Sequence, residues 1–119
     1  MWQAGMELTV STYELSGRLP PEEKFGLASQ MRRAAVSIVS NVAEGHAFRT
    51  RPRAYRRHVR IALGSFAELE TQVELVSRLR LANGRQLRQV QVHMTRVGQL
   101  LHGLLRALRA VKENSFEDC

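Results

Sequence analysis

Residues 30–45 read QMRRAAVSIVSNVAEG, and this stretch decides the fold that the sequence predicts. On a helix its hydrogen-bonding side chains recur at steps of 3, 4, 4 and 3 and share one narrow strip, which holds Gln30, Arg33, Ser37, Asn41 and Glu44. The apolar side chains cover more than half of the circumference, beyond the roughly 100° stripe that packs on one side of a globular helix. These are Leu27, Ala28, Met31, Ala34, Ala35, Ile38, Val39 and Val42. We therefore expect burial from two directions, by the core of the same chain and by a second copy of the chain.

Apolar residues at helical spacing predict three further helices. Trp2, Met6, Val10 and Tyr13 lie at steps of 4, 4 and 3 and form one face of a first helix. The seam of the third helix holds Tyr55, Val59, Ala62, Phe66, Leu69, Val73 and Val76, and that of the fourth holds Leu87, Val90, Met94, Val97, Leu101, Leu104, Leu108 and Val111. Gly64 interrupts helix 3 at a cost of about 1 kcal/mol against Ala, so we expect a neighbouring backbone to approach closely there.

Proline and glycine separate the four segments. Pro20, Pro21 and Pro52 lie between them, and we interpret Asn83-Gly84 as a helix C-cap in a turn between two helices. The prediction is an all-α, antiparallel up-down-up-down four-helix bundle over residues 1–112, assembling as a homo-oligomer. Its helices are expected at about 2–17, 22–47, 53–81 and 85–112, followed by a flexible acidic tail at 113–119.

The chain carries 18 basic and 11 acidic side chains, which gives a formal net charge of +7. Such a surplus attracts phosphates, anionic lipid or an acidic protein. The single cysteine, Cys119, excludes a disulfide framework within the chain. No stretch resembles a signal peptide, and nowhere do about 18 apolar residues run together. We therefore expect a cytoplasmic protein that does not bind membranes.

Signatures of enzymes and metalloproteins are missing from the sequence. A di-iron bundle would need Glu-x-x-His motifs, and no Glu here has a His three residues later. The four histidines, His46, His58, His93 and His102, show no zinc spacing, and scattered histidines on helices are usually solvated or capping. There is no P-loop, dinucleotide fingerprint or nucleophile elbow. We therefore expect a protein that is not an enzyme, with no catalytic residue, no metal and no cofactor.

Arginines concentrate where helix 2 is expected to turn into helix 3. No acid lies between Glu44 and Glu68, whereas the same interval holds Arg49, Arg51, Arg53, Arg56, Arg57 and Arg60. Helix 4 adds a basic outer face opposite its apolar seam, with Arg88, Arg106 and Arg109 beside Arg85, Arg96 and His102. We interpret both surfaces as binding a phosphate backbone, with Phe48 and Tyr55 as candidates to stack on bases. Tyr55 also begins the helix 3 seam, so core is its expected role. A solvating or subunit-pairing role and membrane-surface binding are the alternatives for the arginines.

The polar strip of helix 2 has a candidate partner on helix 3, where Ser65, Glu68 and Gln72 lie 3 and 4 residues apart beside the apolar seam. Arg33 near Glu68, or an arginine near Glu44, would form charge-assisted bonds that fix the register of the two helices. We interpret the combined set as a structural or interface network, with a ligand site as an alternative. Its members are Gln30, Arg33, Ser37, Asn41, Glu44, Ser65, Glu68 and Gln72.

Two ordered runs of residues resemble a known family. The first comprises Leu19-Pro20, Glu22-Glu23, Phe25-Gly26-Leu27, Ser29-Gln30, Arg32-Arg33-Ala34, Ser37-Ile38, Ser40-Asn41 and Ala43-Glu44-Gly45; the second comprises Ile61-Ala62-Leu63-Gly64-Ser65 and Glu68-Leu69-Glu70-Thr71-Gln72. With Trp2-Gln3-Ala4 at the start, they are similar to the hallmark segments of the bacterial 23S ribosomal RNA intervening-sequence proteins. The chain departs from that pattern at His46-Ala47-Phe48-Arg49-Thr50, so the detail of this turn stays open.

The resemblance implies a four-helix bundle that assembles as a ring-like homo-oligomer, commonly a pentamer. Some members of the family are encoded inside insertions in ribosomal RNA genes. A related branch, the accessory variability determinant, binds RNA and the reverse transcriptase of diversity-generating retroelements. We therefore expect a non-enzymatic homo-oligomer that binds RNA or another nucleic acid through the phosphate backbone. The alternatives are a protein-interaction adaptor, such as an accessory subunit of a reverse transcriptase, and a family member of unknown function with no nucleic-acid role.

Overall fold

The computed structural model describes residues 1–111, and the predicted acidic tail with Cys119 lies outside the described residues. The described chain forms four α-helices: α1 (Trp2–Ser16), α2 (Leu27–Ala47), α3 (Pro52–Arg78) and α4 (Arg85–Arg109). No strand occurs among residues 1–111. The molecule is elongated, with principal extents of 51 × 24 × 21 Å. The predicted all-α fold of four helices is therefore confirmed.

Each helix packs on two others around a common core. α1 packs on α2 and α4, and α3 packs on the same two helices, whereas α1 and α3 do not pack on each other within residues 1–111. α1 and α3 therefore occupy opposite corners of the cross-section. The centre is filled by fully buried side chains from all four helices, among them Leu8, Met31, Ile38, Leu69 and Leu101. Full burial of each such side chain contributes about 1.5–3 kcal/mol.

The structure corrects the expected start of α2, which lies at Leu27 and not near residue 22. Pro21–Glu23 form a single turn of 3-10 helix instead. Gly26 separates the two elements because its backbone angles, φ −105° and ψ −108°, are not helical. Oε1 of Glu23 accepts a bond from the N–H of Leu27 at 3.4 Å, where a negative charge suits the positive end of the helix dipole.

α3 ends at Arg78, earlier than the expected residue 81, and its end is capped differently from the prediction. The N–H of Leu81 bonds to the carbonyl of Val76 at 3.0 Å, and the N–H of Arg80 bonds to that of Ser77 at 3.2 Å. With Arg80 at φ 55°, this is a Schellman motif. Gly84 is the N-cap of α4, at φ 77° and ψ −145°, so the C-cap predicted at Asn83-Gly84 is wrong. α4 ends at Arg109, and not at residue 112.

α2 is buried from two directions, as expected, but both neighbours belong to the same chain. Its apolar side chains from Ala28 to Val42, apart from Val36, are at most 8% exposed. α1 covers one side, where a Cβ on Gly5 would lie only 3.2 Å from Cγ2 of Val39. α3 covers the other side. The wide apolar circumference of α2 therefore does not require a second copy, and the homo-oligomer stays a prediction.

α1 turns its predicted apolar face to solvent. Four side chains of this face are 37–56% exposed, and we call them the α1 stripe: Trp2, Met6, Val10 and Tyr13. The buried side of α1 consists largely of smaller residues: Ala4, Gly5, Leu8, Ser11, Thr12, Leu15 and Ser16. The hydroxyl of Thr12 donates to the carbonyl of Leu8 at 2.7 Å, so it can be buried without an unpaired proton. Small side chains let the backbone of α1 approach α2, and the large ones remain outside.

Two glycines show how tightly the helices pack. A Cβ on Gly64 would meet nothing within 4 Å, so the expected close approach at this position is wrong. A Cβ on Gly98 would lie 2.8 Å from Cζ of Phe66. The tightest glycine contact among the described residues therefore lies at Gly98 of α4, against α3, and not at Gly64.

Candidate nucleic-acid interface

The turn between α2 and α3 is held by successive backbone bonds. The N–H of Phe48 bonds to the carbonyl of Gly45 at 2.9 Å, and the N–H of Arg51 bonds to the carbonyl of Phe48 at 2.8 Å. Nη1 of Arg49 donates to the carbonyl of His46 at 3.1 Å, and the side chain remains exposed. This turn fixes where α3 begins, and Arg51 lies half-buried within it.

The first turns of α3 present one row of arginines to solvent. Arg53, Arg57 and Arg60 follow each other at steps of 4 and 3 on one helical face, and all three are exposed. Arg56 departs from the prediction, since it is only 9% exposed. Its Nη1 donates to the carbonyl of Leu108 near the end of α4, at 3.1 Å. Arg56 therefore joins α3 to α4, and we remove it from the candidate phosphate-binding residues.

The bond from Arg56 places the last turns of α4 beside the first turns of α3. Arg106 and Arg109 are exposed there, close to the turn arginines along the bundle axis. We call this set, Arg49, Arg53, Arg57, Arg60, Arg106 and Arg109, the arginine end. Arg88 is exposed too, but it precedes Arg106 on α4 by about 27 Å at 1.5 Å per residue. The structure therefore brings most of the predicted arginines to one end and leaves Arg88, with Arg85, at the other.

Five arginines of the arginine end form no ion pair with an acid among residues 1–111: Arg49, Arg57, Arg60, Arg106 and Arg109. Within residues 1–111 the ion pairs join Arg78 to Glu74 at 2.9 Å, His58 to Glu44 at 3.6 Å and His93 to Glu7 at 3.9 Å. None of these includes an arginine of the arginine end. Exposed guanidinium groups without a carboxylate partner are suited to bind phosphate in a planar, two-pronged geometry.

The polar strip joins α2 to α3 through hydroxyl and amide groups. Oγ of Ser37 and Oγ of Ser65 are 2.7 Å apart. Nδ2 of Asn41 donates to the carbonyl of Ser37 at 2.9 Å, and Nε2 of Gln72 donates to Oε1 of Glu68 at 3.3 Å. Oε1 of Gln72 is buried and has no bonding partner within residues 1–111. The bond between Ser37 and Ser65 joins α2 to α3. The other two bonds each lie within one helix and orient the side chains of Asn41 and Gln72.

The ion pair predicted between Arg33 and Glu68 does not form within the described residues, where both side chains are exposed. Gln30 is exposed as well. Glu44 lies near a histidine, His58, and not near an arginine. Within the strip, α2 and α3 are therefore joined by the neutral bond between Ser37 and Ser65 and not by an ion pair. Ion pairs between exposed side chains contribute little in any case.

The sequence interpretation missed the role of His58. Its Nδ1–H donates to Oδ1 of Asn41 at 3.1 Å, and its ring stacks on that of Phe48, with 5.7 Å between centroids and 5° between planes. His58 precedes Ser65 and Gln72 at steps of seven residues, so the three share one face of α3 toward α2. This seven-residue spacing could have indicated from the sequence that His58 faces α2. Tyr55, by contrast, packs against the core as expected.

The remaining chemistry of the described chain is limited. No group of three or more His, Cys, Asp or Glu side chains among the described residues is placed to hold a metal ion. Over the same residues, no helix combines the length and apolar character needed to cross a membrane.

Comparison with known proteins agrees with the resemblance noted in the sequence. The family model described as 23S rRNA-intervening sequence protein matches residues 1–103, a range that includes α1, α2, α3 and most of α4. No curated protein matches the chain.

Proposed function

The chain belongs to the 23S rRNA-intervening sequence protein family, and we propose that it is a non-enzymatic, homo-oligomeric protein that binds RNA, or another nucleic acid, through the phosphate backbone. The observation that carries this proposal is the arginine end, where the exposed guanidinium groups of five arginines have no acidic partner among residues 1–111: Arg49, Arg57, Arg60, Arg106 and Arg109. The formal net charge of +7 adds long-range attraction for a polyanion.

The chemistry of this end favours recognition of shape and charge over recognition of sequence. Guanidinium groups bind phosphate oxygens, and those contacts position a nucleic acid without reading its bases. Direct reading of bases in a groove uses Arg on guanine as well as Asn, Gln or Glu, but the major groove of an RNA duplex is too deep and narrow for side chains to read. At the arginine end the nearby amide of Asn41 is bonded to Ser37 and His58 instead. We therefore expect binding that tolerates many sequences.

Contacts between α2 and α3 support the antiparallel arrangement of the bundle. Gly45, near the end of α2, lies against Tyr55 and His58 near the start of α3, while Ser37 in the middle of α2 meets Ser65 in the middle of α3. The connections are also short, as antiparallel neighbours require. This arrangement is what brings both the end of α2 and the end of α4 to the arginine end.

Two exposed apolar surfaces support assembly of several copies. The α1 stripe is one of them. The other consists of Ile61 and Leu75, which are exposed on one face of α3 about 21 Å apart at 1.5 Å per residue, with the exposed Glu68 between them. Because α1 and α3 sit at opposite corners, contact between the two surfaces would be head-to-tail, and such contacts form a ring when the rotation from copy to copy closes. We propose a homo-oligomer of this kind, with the pentamer that the family resemblance implies as its copy number.

The direct test is titration of the purified protein with structured RNA at several salt concentrations. We expect affinity to fall steeply with salt, since each phosphate contact contributes about 0.7–0.9 to the slope of log K against log salt. Arg57→Glu with Arg60→Glu should weaken binding strongly. Arg18→Glu is the control, because Arg18 is exposed just after α1 ends at Ser16 and is not part of the arginine end. Absence of binding at low salt would refute the proposal, and an equal loss in the control would place binding elsewhere.

A protein-interaction adaptor is the second candidate, and the α1 stripe is the observation that favours it. An apolar surface of this kind fits a protein partner better than it fits RNA. If the purified chain is monomeric while the stripe remains exposed, a different protein becomes the expected occupant. Sizing the protein in solution therefore tests whether a second copy or a different protein covers the stripe.

A further inference from the structure

Phe48 is an aromatic side chain exposed among charges. It is the C-cap residue of α2 and is 39% exposed. Arg49 follows it directly, and the row Arg53, Arg57 and Arg60 begins five residues later. Single exposed apolar residues are common on protein surfaces and need no explanation by themselves. What distinguishes Phe48 is that its ring stacks on the imidazole ring of His58.

The ring of Phe48 is supported by a chain of bonds from the seam between α2 and α3. It lies parallel to the ring of His58, within 5°. The Nδ1–H of His58 donates to Asn41 at 3.1 Å and lies 3.6 Å from Oε2 of Glu44. Asn41 in turn donates to the carbonyl of Ser37 at 2.9 Å. The orientation of the imidazole is therefore set from α2, and the imidazole holds one face of the phenyl ring.

The backbone below the two rings is also fixed. A Cβ on Gly45 would lie 3.1 Å from Cβ of His58 and 3.1 Å from Cδ1 of Tyr55. α2 and α3 are therefore in close contact one turn before Phe48. An aromatic platform that is already oriented loses little conformational entropy when a ligand stacks on it.

We infer that an unpaired nucleobase of bound RNA stacks on Phe48 while its flanking phosphates bind Arg49 and Arg57. Stacking on an aromatic face accepts any base, because every base has a π-face. A base inside a duplex cannot reach the ring, since it is stacked between its own neighbours. The inference rests on the proposed function and adds to it a ligand class: RNA with bulged, looped or single-stranded nucleotides is bound in preference to a perfect duplex.

The test compares two hairpin RNAs whose loops are replaced by a linker without bases and which differ only in one bulged base analogue whose fluorescence is quenched by stacking. We expect the native protein to bind the bulged RNA about tenfold more tightly than the paired one and to quench the analogue. Phe48→Leu keeps an apolar side chain of similar size but removes the flat ring, so it should lose both the preference and the quenching. Phe48→Trp should keep both.

Phe25→Ala is the matched control. Phe25 is 89% exposed, and Nζ of Lys24 lies 5.4 Å from the centre of its ring, so it is an aromatic ring beside a cation outside the arginine end. This variant should leave the preference and the quenching unchanged. Circular dichroism of each variant shows that the helices are intact.

The outcomes separate the inference from the proposed function. If the native protein binds both hairpins equally, with a steep dependence on salt, the stacked base is refuted and the phosphate-binding proposal stands. If Phe48→Leu retains the preference, Phe48 is not the platform. If neither hairpin binds at low salt, the proposed function and the stacked base are both refuted.

Discussion

Val10→Glu should dissociate the assembly while leaving the helical bundle intact. Val10 is 56% exposed in the single chain and lies in the middle of the α1 stripe. On average, about half of the surface of the four stripe residues is exposed in the single chain, and a second copy could cover it. At about 1.5–3 kcal/mol for full burial of one such side chain, the stripe would contribute about 3–6 kcal/mol to each contact between copies. Placing an unpaired carboxylate in that contact costs several kcal/mol more, since a charge buried without a partner is strongly unfavourable.

A loss of about 4 kcal/mol weakens each contact roughly a thousandfold, which is enough to dissociate a complex of micromolar stability. Sedimentation equilibrium measures the result directly. We expect about 68 kDa for five copies of the 13.5 kDa chain and the mass of one chain for the variant. Gln99→Glu is the control, since it introduces the same charge at an exposed position of α4. A native protein that is monomeric at tens of micromolar, or a variant that stays assembled, would refute the role of the stripe.

Four substitutions test the packing, each by urea denaturation followed by circular dichroism at one protein concentration. Gly98→Ala should destabilise the fold by about 1–2 kcal/mol, because its Cβ would lie 2.8 Å from Phe66. Gly64→Ala, with nothing within 4 Å, should stabilise it by about 1 kcal/mol, and equal effects would contradict the packing described. Gln72→Met should add about 1 kcal/mol by removing a buried oxygen that has no partner within residues 1–111; a loss would mean that this oxygen is bonded in solution. Arg56→Met should cost about 1–3 kcal/mol, since the carbonyl of Leu108 loses the bond from the buried guanidinium group and keeps, among the described residues, only a long bond of 3.4 Å from the N–H of Val111. It should leave RNA affinity unchanged, and a large loss of affinity would return Arg56 to the binding surface.

The packed side of α1 could not be predicted from apolar spacing, because both sides of this helix carry apolar residues. The pattern counted the large ones, Trp2 and Val10 among them, and these are exposed. The core selected Ala4 and Leu8 with small residues such as Gly5, since α1 has to approach α2 closely. Spacing reports a periodic face but not the distance to the neighbouring helix, and that distance decided which face was buried.

α2 shows the complementary limit. Its wide apolar circumference correctly predicted two covering surfaces, but periodicity contains no information about which chain supplies them. Four helices in one bundle already give every helix two neighbours. A second copy was therefore unnecessary to explain residues such as Ile38 and Val39, and the structure supplies α1 and α3 instead.

The candidate site was predictable in its exposed part and not in its buried part. The row on α3 followed from helical spacing alone, because steps of 3 and 4 place Arg57 and Arg60 on one side. The burial of Arg56 depends on a carbonyl of α4 that lies 52 residues away in sequence. His58 was missed because a single histidine on a helix gives little information without its partners, and Asn41 lies on a different helix.

Assembly and RNA binding should be coupled if both proposals hold. In a closed ring the copies are related by rotation about one axis, so all arginine ends lie on one circle. Five chains of +7 would carry about +35 in total. An RNA long enough to span several copies should then bind the monomeric Val10→Glu protein a hundredfold or more weakly than the ring, since avidity of that order follows from linking sites alone. An RNA that fits one arginine end should bind both equally well, because each copy keeps its own phosphate contacts. The same loss for both RNAs would mean that Val10→Glu damages the arginine end itself, and no loss for either would mean that the ring does not present its arginines together.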